Sequence, residues 1–273
     1  MDQPFAPDTP QSPEVLVQSF YADPHVFDIL HTPGTANEVN GLERICQKFA
    51  RTSGDVTWLE PACGTGRYLR VAAGRGINVV GFDTSSDMIE YAQRRIPTGK
   101  GAGTSSLFVG DMVSFTPPVK ANSIDMSFNT INTIRHLETD DAMLAHFECT
   151  RRVLKRGGIY VVGVSITDYV HERETEDVWH ARRGHVHVDQ AVQYLPPEDP
   201  NTRTEIVCSI MTVTTPKTTQ QIESRYTLRT YDRTQWDTLM HKVGFRRLAA
   251  ITEWGDEMDP PRWGYTIEVL SPV

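Results

Sequence analysis

Leu59-Glu60-Pro61-Ala62-Cys63-Gly64-Thr65-Gly66-Arg67 is the stretch on which the reading of this chain turns. The residues before it, Val56-Thr-Trp-Leu59, are short, apolar and β-rich, and read as a buried strand. Residues 67–74 carry helical spacing and stop at glycines. Small residues between the two make a turn that lets the backbone approach a ligand, because a side chain there would collide with it. A dinucleotide loop needs Gly or Ala three positions after Gly66, where Leu69 stands. A P-loop fails as well, since no Gly-Lys-Ser/Thr follows. The turn is a ligand loop without a diphosphate fingerprint.

Outward from this loop the strand-and-helix unit repeats. Residues 78–82 read as a second strand with a helix over 86–95, 106–109 as a third, and 124–128 as a fourth with a helix over 140–154. Gly157-Gly158 lead into a strand at 159–164. Apolar strands alternating with amphipathic helices predict an α/β fold, a doubly wound and mostly parallel sheet covered on both faces. A helix over 233–243, ending at Gly244, and strands at 245–252 and 264–270 complete it. Between them, from about 168 to 231, longer polar strands (184–188, 203–214 and 221–230) predict an antiparallel insert with one wet face. Residues 1–13 hold four prolines and read as a disordered tail. Two helices, over 14–21 and 36–51, would form an N-terminal lid at 14–52, separated by a loop with Pro24, Pro33 and Gly34. One domain over 14–273 is expected.

Composition excludes several classes. Of 273 residues, 27 are Lys or Arg and 35 Asp or Glu, a net charge of −8 that repels phosphate backbones. The basic cluster Arg151, Arg152, Lys155, Arg156 falls at a helix end, where cations suit the dipole. No apolar run approaches the ~20 residues of a membrane span, and Met1-Asp-Gln-Pro-Phe-Ala-Pro does not read as a signal peptide. Cys46, Cys63, Cys149 and Cys208 are scattered without CxxC spacing, which argues against a disulfide framework and a zinc finger. The expectation is a cytoplasmic protein with no nucleic-acid, membrane or metal partner.

Three carboxyl-edge features suit a nucleoside with a cationic tail. The second strand ends in Asp83, able to accept both ribose hydroxyls. The third ends in Gly110-Asp111-Met112, an acceptor for an adenine amino group beside a soft thioether. The fourth ends in Asn129-Thr130, a polar lip at the same edge.

These residues resemble the class I S-adenosylmethionine-dependent methyltransferases. Glu60-Pro-Ala62-Cys-Gly64-Thr-Gly66 is similar to the family's first motif, Asp/Glu-x-Gly-x-Gly-x-Gly, with Ala62 in place of the first Gly. Gly81-Phe-Asp83-Thr-Ser-x-x-Met88 resembles the second motif and Gly110-Asp111-Met112 the third. Arg152-Val-Leu154-Lys-Arg-Gly157-Gly158 resembles the turn before the fifth strand. The resemblance spans roughly residues 50–165. It implies a seven-stranded sheet with a final antiparallel strand, and S-adenosyl-L-methionine as cofactor, leaving as S-adenosyl-L-homocysteine. It further implies that Glu60 and Gly64, in the loop with Ala62 and Gly66, hold the methionine amino group. Asp83 would bind the ribose with Thr84 or Met88 nearby, Asp111 and Met112 would contact adenine, and Asn129 would meet the methionine moiety through its backbone.

Asn132-Thr-Ile-Arg-His136-Leu, the run Ser224 to Tyr231 and Val243-Gly-Phe245 resemble segments of small-molecule N- or O-methyltransferases of the glycine and aminosugar type. Phe20-Tyr21 and Phe27-Asp28 resemble their aromatic lid. In-line displacement at a sulfonium carbon needs an acceptor lone pair aligned at ~3–3.5 Å and water excluded. His136 is the candidate base, or else a hydrogen-bond partner of a backbone group. Tyr21, Arg229 and Tyr231 either line the substrate pocket or serve packing and surface. His185-x-His187, with His171 and His180, lacks a metal shell and reads as a wet strand. Cys63 reads as a space-maker, and Asp256, Glu257 and Asp259 as a polar turn. A non-catalytic S-adenosylmethionine-binding protein and a protein methyltransferase stay open, as does a homodimer. The Asn/Asp-Pro-Pro-Tyr/Phe segment of nucleic-acid amino-methyltransferases is absent, with Phe128-Asn129-Thr130-Ile131 in its place.

Overall fold

The computed structural model describes residues 14–116, 118–252 and 255–273, so the expected tail at 1–13 lies outside the described residues. In chain order the elements are β1 (Glu14–Val17), α1 (Pro24–His31), α2 (Thr35–Phe49), β2 (Thr57–Pro61), α3 (Arg67–Gly74), β3 (Asn78–Asp83), α4 (Ser86–Gln93), β4 (Ser105–Val109) and β5 (Ile124–Asn129). A 3₁₀ turn (Thr133–His136), α5 (Asp140–Val153), β6 (Leu154–Ile166), β7 (Thr175–Arg183), β8 (Val186–Leu195), β9 (Thr204–Thr214) and β10 (Thr219–Arg229) follow. The chain closes with α6 (Arg233–Lys242), β11 (Phe245–Ile251), β12 (Glu257–Met258) and β13 (Gly264–Pro272). No helix among them is long and apolar enough to cross a membrane.

The main sheet runs β12-β11-β13-β6-β5-β2-β3-β4. Its strands β6 to β4 are parallel, and β13 and β11 return antiparallel. The expected count of seven is exceeded by the two-residue β12, which pairs Ala250 and Ile251 with Met258 and Glu257. From β2 the chain winds outward to β4, then crosses back to place β5 on the other side of β2. The crevice outside the strand ends at that switch point is where open α/β sheets bind ligands.

Two cores cover the sheet because successive strand residues face opposite ways. Leu59, Tyr160, Val162 and Val164 pack with Phe147 of α5 and Trp236 and Met240 of α6. Their chain neighbours Trp58 and Val161, with Met126 of β5, pack with Val39 and Leu42 of α2 and Leu69 and Ala72 of α3. Burying each large side chain contributes roughly 1.5–3 kcal/mol.

A second, five-stranded sheet, β1-β10-β9-β8-β7, stands over the crevice. Its strands β7 to β10 are antiparallel neighbours. Phe20, Val26, Ile29 and Leu30 pack against Val188, Met211 and Ile222 of its inner face, which docks α1 under the sheet.

Two expectations are corrected here. Residues 14–17 are a strand, not a helix, and pair in parallel with Gln220–Glu223 of β10; the edge of β10 supplies backbone partners that an isolated short helix lacks. The first helix lies instead at 24–31, inside the expected loop. Asp23 caps it, accepting from His25 and Val26 N–H at 2.8 and 3.2 Å, and Pro24 opens it.

Candidate active site

The turn from β2 into α3 has three left-handed residues, Ala62 (φ 52°), Gly64 (φ 52°) and Gly66 (φ 67°). It wraps the Asp83 side chain at the end of β3. Gly64 N–H donates to Asp83 Oδ2 and Ser85 N–H to Oδ1, both at 2.9 Å. Each oxygen keeps a lone pair for a ligand hydroxyl. Gly66 does not line the cavity; it caps α3, and a Cβ there would stand 3.1 Å from that of Ala92. At that distance the position imposes close packing of α3 on α4.

Glu60, at the end of β2, is 7% exposed. Burial raises its carboxyl well above the usual range, Asp83 and Glu38 add to this, and Arg67 opposes it. Glu60 Oε2 has no partner among the described residues, nor has Thr65 Oγ1. A buried carboxyl with a free oxygen is an acceptor for a cation. Cys63, buried beside Glu60, has its thiol pushed well up by burial and by Glu60 and Asp83, so it is no nucleophile.

At the far lip a buried chain of hydrogen bonds braces the floor. His146 Nδ1–H donates to the Met112 carbonyl at 3.0 Å, and its Nε2 lies 2.9 Å from the Tyr160 hydroxyl. That hydroxyl donates to Asn129 Oδ1 at 2.8 Å, and Asn129 Nδ2 donates to the Pro61 carbonyl at 2.6 Å. The Asn129 side chain is thereby spent on the scaffold, which leaves its backbone for a ligand. Asp111 accepts from Val113 N–H through Oδ1 at 2.9 Å.

One cavity of about 910 Å³ joins these groups. Glu60, Ala62, Gly64, Asp83, Thr84 and Met88 line it, and so do Asp111, Met112 and Asn129. Tyr21, His136, Tyr226 and Gln190 close its other end. The Tyr21 hydroxyl is 2.9 Å from His136 Nε2, and the His136 ring stacks on Tyr226 at 5.4 Å between centroids. Burial, with Arg135 adding, lowers the His136 pKa, so its ring is neutral at pH 7.

Arg229 and Tyr231 do not reach this cavity. Arg229 pairs with Asp140 at 3.1 Å, tying β10 to the start of α5. Tyr231 is fully buried against Trp236, and burial pushes its hydroxyl up to about 12. Both serve packing, not substrate. His185 falls in the turn before β8, and among the described residues no three His, Cys, Asp or Glu cluster as a metal site. The sequence reading missed Gln190 and Tyr226. Gln190 is 3% exposed; its Nε2 donates to Ser209 at 2.7 Å and its Oε1 has no partner among the described residues. Alternation along β8 buries Gln190, and Tyr226 is half-buried on β10, but nothing local said what those faces cover.

Residues 59–158 match the family profile described as a methyltransferase domain. A curated relative, dTDP-3-amino-3,4,6-trideoxy-alpha-D-glucopyranose N,N-dimethyltransferase of Streptomyces venezuelae, is 28% identical over 113 residues, 41% of this chain and 44% of the relative. The match thus spans less than half of that enzyme. Among solved structures, DesVI of Streptomyces venezuelae aligns at TM-score 0.73 and 18% identity, covering 94% of this chain and all of its own (100%). S-adenosylmethionine-bound CalS10, an amino pentose methyltransferase from Micromonospora echinaspora, aligns at TM-score 0.66 and 18% identity, covering 93% and 98%. At such identities these likenesses speak for the fold. Residues 59–158 thus match a methyltransferase domain, on a fold that the chain shares with S-adenosylmethionine-dependent methyltransferases. The orphan Glu60 oxygen and the Asp83 carboxylate are acceptors that would fit the ammonium and ribose of a bound S-adenosylmethionine.

Proposed function

We propose that this protein transfers a methyl group from S-adenosylmethionine to a nitrogen or oxygen of a small molecule, with an amine-bearing, sugar-sized acceptor as first choice. One observation carries the reading: the Glu60–Asp83–Asp111 edge and the Tyr21–His136–Tyr226 rings line a single cavity. The printed name of the curated relative, an aminosugar N,N-dimethyltransferase, supports the choice of acceptor. A merely cofactor-binding protein has no use for a neutral histidine and two phenols grouped at the cavity's other end.

The cofactor supplies an electrophilic methyl on a sulfonium, so the chain's task is to bind, align and exclude water. Glu60 takes the ammonium, Asp83 the ribose hydroxyls and Asp111 the adenine amino group, with the Met88 and Met112 thioethers beside the nucleoside. The roof, β8 and β10 with Val192 and Leu228, keeps water from the acceptor. Neutral His136, directly or through the Tyr21 hydroxyl, accepts the proton that an ammonium or hydroxyl acceptor must lose.

Calorimetric titration with S-adenosylmethionine and S-adenosylhomocysteine tests the reading. Micromolar binding is expected in the natural chain, and its loss in Asp83→Ala, which removes both ribose contacts and the Gly64 and Ser85 anchor. Folded protein giving no heat with either nucleoside would sink the proposal.

A further inference from the structure

Beside the methyl-transfer cavity lies a larger one, about 1440 Å³, that the proposed reaction does not use. Tyr68, Thr130, Ile131, Asn132, Trp179 and Tyr194 line both, so the outer cavity opens on the mouth of the inner one. Its other walls come from α2, the segment after β6, β7 and the ends of β11 and β13.

Two features set its chemistry. The first is aromatic surface left in water: Trp263 is 71% exposed and Trp179 is 38% exposed, both on the wall. Large indoles on a concave wall are unusual unless something covers them. The second is charge. Among the described residues six carboxylates line the cavity, Glu38, Asp168, Glu172, Asp177, Glu205 and Glu257, against four cations, Arg44, Lys48, Arg135 and Arg173. Ion pairs match Arg135 to Glu205 at 2.8 Å, Lys48 to Glu257 and Glu38 to Arg67, which leaves Asp168, Glu172 and Asp177 against Arg44 and Arg173. Burial, with Glu205 adding, raises the Glu172 carboxyl, as expected where negative charge is already in excess. A diphosphate would meet a wall with a small excess of its own sign.

We propose that the outer cavity binds the second half of the methyl acceptor, an uncharged or cationic and partly aromatic body joined to the amine-bearing ring, and that the acceptor carries no diphosphate. This rests on the methyltransferase reading of the inner cavity. It places the reaction after a glycosyl transfer that has already displaced any nucleotide from the sugar.

The test titrates doxorubicin, an amino sugar on a tetracyclic quinone, and separately dTDP, into the full chain saturated with S-adenosylhomocysteine. Doxorubicin is expected to bind at least about tenfold more tightly than dTDP. Trp263→Ala should weaken doxorubicin about two- to tenfold, the range of one aromatic contact. Asp177→Arg, on exposed β7, should weaken doxorubicin and strengthen dTDP. Both variants should bind S-adenosylhomocysteine as the natural chain does, which shows that they are folded. The inference is overturned if dTDP binds as tightly as doxorubicin, if neither binds to protein that takes up S-adenosylhomocysteine, or if neither variant changes doxorubicin binding. Folded natural protein that fails to bind S-adenosylhomocysteine removes the methyltransferase reading, and this inference with it.

Discussion

Ala62 holds φ at 52°, a conformation that costs an L-residue roughly 1–2 kcal/mol and glycine almost nothing. The resembling motif has glycine there. Ala62→Gly is therefore expected to raise unfolding stability by about 1 kcal/mol, the flexibility of glycine in the unfolded chain offsetting the rest; a urea midpoint that falls would refute the strain. Tyr21→Phe keeps the ring beside His136 but removes the hydroxyl 2.9 Å from Nε2. With an acceptor found by screening, kcat should drop about 10- to 100-fold while S-adenosylhomocysteine affinity stays unchanged. Because burial and Arg135 lower the His136 pKa, only its neutral form accepts a proton and the activity lost on acidification lies below the ordinary histidine range. Rate against pH should be level above about 6.5 and fall in acid, and His136→Gln should abolish that limb. At this scale Glu60, Asp83 and Asp111 were legible because each ends a strand at the same sheet edge. Gln190 and Tyr226 were not, since their meaning depends on residues far along the chain.

The helix α1 is where element-level reading failed and where a signal was nonetheless present. Asp23-Pro24 is an N-cap followed by a first-turn proline, yet the surrounding Pro33 and Gly34 made the segment look like a loop. Its place is fixed by the buried Asp28. Burial alone would raise that carboxyl, but Arg70, Arg183 and Tyr91 outweigh it and hold it below the usual range. Arg70 lies on α3, Tyr91 on α4 and Arg183 on β7. Removing the anion leaves two guanidiniums unpaired, though both are partly in water, so Asp28→Ala should cost about 2 kcal/mol. Hydrogen exchange should show α1 and the start of α2 loosened well before β5 and β6; uniform exchange across the chain would count against this anchoring. Strand β7 escaped notice for a different reason: Thr175-Glu-Asp-Val-Trp-His-Ala-Arg-Arg183 is exposed along nearly its whole length, so it lacks the alternation that marks a half-buried strand. Its identity comes from pairing with β8.

Over the whole molecule, stability should depend on pH through two buried histidines. Burial lowers both His31 and His146 to about 4, with Arg67 adding at His31. The unfolded chain binds protons below about 6.5 whereas the folded chain refuses them until about 4. Stability is thus full above the unfolded value and falls as pH drops through this window, by on the order of 3 kcal/mol at most for each histidine. Urea midpoints at pH 7 and pH 5 check this, and a profile flat between them would refute it. The parallel sheet and the ligand edge were determined by sequence alone, because strand-and-helix periodicity and the small-residue turn are local patterns whose physics needs no distant partner. Tertiary structure alone decided the rest. A strand instead of a helix at 14–17, and Arg229 turned away from the cavity, depend on pairings across 206 and 89 residues, and the second cavity is walled by segments from α2 to β13. No local propensity encodes such pairings; only the backbone bonds and burial gained on closing the chain select them.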